Sequence, residues 1–68
     1  MVSMITAAEL LDYVREDNPD EVAVGQIEQI KKAAVGYIMA YTGQSADYLD
    51  EHDEFDAVLM VLVADMYD

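Results

Sequence analysis

The chain has 68 residues, with 15 acidic and 3 basic side chains, a formal net charge of -12, and 54% hydrophobic positions. A domain this small buries only about 60% of the surface its unfolded chain exposes, so a lone copy is marginal and gains from a partner surface. The apolar fraction is too high for a disordered acidic tail. The absence of Cys excludes disulfides and thiolate metal sites, and a single His removes the usual zinc sets, so neither metal nor cofactor is expected.

The longest apolar stretches, residues 33–41 and 57–64, fall well short of the roughly 20 residues that cross a bilayer. The first basic residue is Arg15, so no charged segment ahead of an apolar core marks a signal peptide. The expectation is one soluble, intracellular domain over residues 1–68, without membrane contact.

Apolar residues recur at three- and four-residue spacing rather than alternating, and no Asn-Gly or Asp-Gly hairpin signal interrupts them, so an all-α fold is predicted. The first helix is announced by Thr6 and Glu9, the Thr-x-x-Glu capping box, with Ile5 and Leu10 at the staple positions. Ala7, Leu10, Leu11 and Val14 share one side of it, and it is expected to end near Arg15 or Glu16.

Asn18-Pro19-Asp20-Glu21 reads as the second start, with Asn18 as N-cap and Pro19 at the first helical position. Gly43 is the stop after Thr42. Between them Ala23, Ile27, Ile30, Ala34, Tyr37, Ile38 and Tyr41 form the inward stripe of a central helix about 36 Å long. Gly25 and Gly36 weaken this helix by about 1 kcal/mol each relative to Ala, which points to a close helix crossing at Gly36.

Residues 44–53 are a polar connection in which Ser45 caps a single turn that carries Tyr48 and Leu49 inward. The last helix starts near Asp53 or Glu54 and runs to the end. Phe55, Leu59, Leu62, Val63 and Met66 make its expected core face, while Ala57, Met60, Val61, Ala64 and Tyr67 fall on the other side. Three helices therefore make a small domain with too little mass to cover both sides of the last one: either the long connection folds over the second side, or those five residues are the candidate interface with another subunit.

Charge is unevenly distributed. Residues 1–21 carry six acids against Arg15, residues 22–46 carry Glu28 against Lys31 and Lys32, and residues 47–68 carry eight acids and no base. Three basic residues form no phosphate-binding patch, and a charge of -12 repels a polyanion. Catalysis is poorly supported, because the only imidazole, His52, sits in the solvated acidic run Asp50-Glu51-His52-Asp53-Glu54 without a nucleophile beside it. Neither acidic segment has the spacing of an EF-hand loop.

Three stretches resemble a known family. Residues 34–43, Ala-Val-Gly-Tyr-Ile-Met-Ala-Tyr-Thr-Gly, are similar to the "A-x-x-Y-I-x-x-Y-T-G" ending of the second helix in the head-tail connector proteins of tailed bacteriophages and prophages. Residues 57–67 resemble the apolar third helix of that family, and residues 5–11, Ile-Thr-Ala-Ala-Glu-Leu-Leu, its short capped first helix. The likeness runs in order through residues 4–68, although its motifs are mostly packing residues and a Gly stop.

The resemblance implies a structural adaptor without catalytic activity. Such an adaptor forms a homo-oligomeric ring of about a dozen subunits between the portal protein of the capsid and the tail or stopper protein. Its localisation would be the virion head-tail junction, and the host cytoplasm before assembly. Genome DNA would pass its acidic lumen without specific binding. Family members usually continue past the Tyr-Asp pair with a basic extension, whereas this sequence ends at Asp68, and the loop after Gly43 lacks the Pro often seen there.

Two rival readings share the acidity. A DNA-mimic inhibitor would space carboxylates regularly over an exposed surface and leave no apolar face spare. An acyl-carrier-like module would attach its arm at Ser45, but Ser45 lacks the Asp before it and the Leu after it that mark such a site.

Overall fold

A computed structural model describes residues 1–16 and 20–67, and it is all-α. Thr6 lies in extended backbone and its hydroxyl accepts the Glu9 N–H at 3.2 Å, opening α1 (Ala7–Tyr13). Glu9 returns the contact to the Thr6 hydroxyl, which donates to its carboxylate at 3.4 Å, rather than to the Thr6 amide as in a full capping box. Ile5 and Leu10 are both buried, as the staple requires.

α1 stops earlier than its sequence suggests. Val14 closes the helix, and the Arg15 and Glu16 N–H groups donate to the Asp12 and Leu11 carbonyls at 3.1 and 3.0 Å. This is the Schellman arrangement, and Arg15 occupies its left-handed position at φ 62°. The sequence hides the stop because Gly usually marks that position, and here it is Arg.

α2 (Glu21–Thr42) is capped by Asp20, whose carboxylate accepts the Ala23 N–H at 2.8 Å. The helix therefore starts later than an Asn18 cap would place it. Asp20 competes well for the role because a carboxylate adds attraction to the helix dipole that an amide lacks. Asn18 and Pro19 themselves lie outside the described residues. The expected stop holds, with Gly43 left-handed at φ 70°.

The polar connection holds α3 (Ala46–Glu51), where Ser45 accepts the Tyr48 N–H at 3.2 Å and Leu49 is fully buried. α4 (Glu54–Tyr67) completes the bundle. A 3-10 turn, Val2–Met4, precedes α1 and buries Val2; three residues are too few to leave a periodic signal.

Leu10, Ile27, Leu49, Leu59 and Val63 have no exposed surface, so each of the four helices contributes to one core. Each such side chain contributes about 1.5–3 kcal/mol of burial. Polar contacts fasten the segment ahead of α1 over this core. Ser3 donates its N–H and hydroxyl to the two oxygens of Asp50 at 2.9 and 2.7 Å, and the Lys31 ammonium donates to the Ile5 carbonyl at 2.7 Å. The Met1 amino group donates to Asp56 at 2.8 Å.

Three expectations about the faces are corrected. On α2, Ala23, Ile27, Ala34 and Ile38 are buried, but Tyr37 and Tyr41 lie 61% and 82% exposed, outside the stripe assigned to them. The arc over which α4 covers α2 is narrower than the apolar arc the sequence offers. On α4, Met66 is exposed rather than inward, whereas Met60 and Tyr67 are half-buried against the core rather than outward. The helix is rotated because it touches α1 and the 3-10 turn as well as α2, so its inner side spans two neighbours. No close crossing occurs at Gly36: a Cβ there would meet no atom within 4 Å, and the same holds at Gly25.

Candidate docking groove

The outward apolar surface lies between the second half of α2 and α4. Tyr37 and Tyr41, one turn apart on α2, stack at 6.3 Å with planes 9° apart and form one bank. Val58 and Val61, 47% and 55% exposed, form the other. Phe55 is half-buried at one end and Asp65 lines the groove towards the other, bounding an open groove of about 700 Å³. At about 100° per residue, Ala57, Val58, Val61 and Asp65 share one arc of α4, opposite the buried Leu59 and Val63.

Of the five residues expected at a subunit interface, Ala57 and Val61 are exposed and line this groove. Ala64 is half-buried beside them and does not line it. Met60 and Tyr67 are packed on the core, and the Tyr67 hydroxyl donates to the Glu16 carboxylate at 2.7 Å, which pushes the phenol above its ordinary pKa. Tyr37, Tyr41 and Val58 were missed as surface residues. The usable signal was the Tyr-x-x-x-Tyr spacing at the end of α2, since a tyrosine tolerates a wet edge where an aliphatic side chain does not.

The acidic run between α3 and α4 is organised rather than loose. The Ser3 N–H and then its hydroxyl hold the Asp50 carboxyl below the usual carboxylate range. His52 Nδ1 lies 2.8 Å from the Tyr48 carbonyl oxygen, so Nδ1 carries the proton that this oxygen accepts. Its ring stacks on Tyr48 at 4.0 Å and meets the edge of Phe55 at 6.4 Å. These contacts tie the end of α3 to the start of α4. Among the described residues, no group of three or more His, Asp or Glu side chains is placed to hold a metal ion, and no helix is long and apolar enough to cross a membrane.

What this arrangement offers is a strip of apolar and aromatic surface with an acidic side chain, Asp65, in its lining. Comparison with protein-family models, curated proteins and solved structures returns no significant match to this chain.

Proposed function

We propose that the chain is a structural adaptor of the phage head-tail junction. Copies of it associate through the outer side of α4 into a ring between portal and tail, and the ring's acidic channel passes DNA without binding it. The observation that carries this reading is the exposure of Ala57, Val58 and Val61 on a helix whose inner side is already full. Such a strip is stabilised by burial against another protein surface. A net charge of -12 fits contact with a passing polyanion, and the resemblance of residues 34–43 and 57–67 to the connector family supplies the particular assembly. A DNA mimic would share the acidity without needing the apolar strip.

The same charge opposes self-association, because each added subunit brings -12 against its neighbour. Raising salt from about 0.1 to 1 M shortens the screening length from about 10 to 3 Å while leaving apolar contact intact. Sedimentation and native mass measurements are therefore expected to show oligomers that grow with protein and salt concentration. Val61→Glu, at a position 55% exposed, is expected to remove them while helical content and thermal midpoint stay unchanged. A protein monomeric at every salt and concentration, and inert towards an isolated portal ring, overturns the reading.

A further inference from the structure

The groove between α2 and α4 has a chemistry that selects its occupant. Its α4 bank runs from Phe55 to Asp65, about 15 Å or three helical turns, so a helix laid along it places side chains at i, i+3 or i+4, and i+7 between the tyrosine and valine banks. The floor and banks are apolar and aromatic. The charges around them are of one sign: Asp65 lines the groove, and at about 100° per residue Glu54 projects on the same arc of α4 as Val58, Val61 and Asp65.

None of the three basic side chains reaches this strip. Arg15 sits at the end of α1, the Lys31 ammonium is spent on the Ile5 carbonyl, and Lys32 lies about 140° around α2 from Tyr37. The Met1 ammonium is held by Asp53 and by Asp56, the latter about 160° around α4 from Glu54, so an incoming helix finds apolar contact along its middle and a carboxylate beside each end.

We propose that the α2–α4 groove receives an amphipathic helix from another protein, with an apolar stripe flanked by Lys or Arg. The proposal deepens the reading of this surface as a docking site and rests on that reading, though not on the identity of the assembly. A second copy fits the groove poorly, because groove-to-groove pairing sets Glu54 and Asp65 against their own counterparts within a complex of two -12 chains. Ala57 and Val61, through which sister copies associate in the ring reading, also line this groove, so a bound basic helix and a sister copy compete for the outer side of α4.

Three labelled synthetic peptides of about 14 residues test this by fluorescence anisotropy, at a protein concentration where sedimentation shows a monomer. One carries Leu and Phe at i, i+3, i+4 and i+7 with Lys at both ends. The second has Glu in place of Lys, and the third scrambles the first. The Lys-flanked helix is expected to bind at least tenfold more tightly than either other peptide. Tyr41→Ala, at a position 82% exposed, is expected to weaken it about tenfold, the loss typical of an aromatic anchor, with no change in urea midpoint. Asp65→Asn is expected to weaken binding several-fold and to flatten its dependence on salt.

Equal binding of the scrambled peptide means charge attraction alone and overturns the proposal, as does equal binding of the Glu peptide or indifference to Tyr41→Ala. A free protein that dimerises and is made monomeric by Tyr41→Ala assigns the groove to a second copy and likewise overturns it. The outcomes are separable from those of the ring: a chain that binds the Lys peptide but never self-associates keeps the groove and loses the ring, and the converse result loses only the groove.

Discussion

Along the inner side of α4, Leu59 and Val63 have no exposed surface, while Val58 and Val61 on its outer side are 47% and 55% exposed. The residue types are similar, so the difference lies in what covers them. The inner side meets α2, α1 and the 3-10 turn, whereas the outer side meets only the edge of α2 that carries Tyr37 and Tyr41. Within these 68 residues one side of the last helix is enclosed and the other is left exposed. The contrast between the two sides is thus one between groups that hold the subunit together and groups left free to hold something else.

Truncating one residue on each side should break that contrast open most widely. Leu59→Ala leaves a cavity in a core built from all four helices and is expected to lower stability by about 2–5 kcal/mol, a large share of what a domain this size possesses. Val61→Ala removes half-wet methyl groups and is expected to stay within about 0.5 kcal/mol. Urea unfolding followed by circular dichroism compares the two. Equal losses would mean that the outer side of α4 is not free surface.

How much of this was legible depends on which signals were local. Thr6, Ser45 and Gly43 announce helix ends through their own side chain or backbone freedom, and the structure uses all three as the sequence implies. The pairing of Leu10 with Ile5 and the burial of Ile27, Leu59 and Val63 follow from spacing. What spacing cannot fix is the rotation of a helix that is apolar nearly all the way round. Met60 and Met66 are the same side chain, yet one packs on the core and the other is 43% exposed, because the arrival of α1 and the 3-10 turn decides which arc is covered. The groove was visible as an excess of apolar surface, and its α2 bank was hidden because Tyr37 and Tyr41 fit an inward stripe equally well.

A smaller effect sharpens the comparison between the two left-handed helix ends. Gly43 closes α2 at φ 70° without a Cβ to strain, whereas Arg15 closes α1 at φ 62° with one. Arg15→Gly is expected to raise stability by about 1 kcal/mol, and Gly43→Ala to lower it by a similar amount. Thermal unfolding of both variants checks this. A destabilised Arg15→Gly would show that the arginine side chain contributes more than its backbone strain costs.

The smallest expected effect concerns the polar contacts that fasten the inner side. Because the Ser3 N–H and hydroxyl hold the Asp50 carboxyl below its ordinary range, their contribution is complete above the unfolded carboxylate pKa and is lost as pH falls through the lower folded value. The window therefore lies below about pH 4. Total stability does not isolate it, since the other acids of a -12 chain shed mutual repulsion over the same range and push stability the opposite way. The difference between the native chain and Ser3→Ala does isolate it. That difference should be constant from pH 8 to 5 and shrink as acid protonates Asp50, with urea midpoints measured at each pH. A gap unchanged at the lowest pH where both proteins still fold would assign the Ser3 effect to backbone packing of the 3-10 turn and remove the carboxylate from the account of what covers α4.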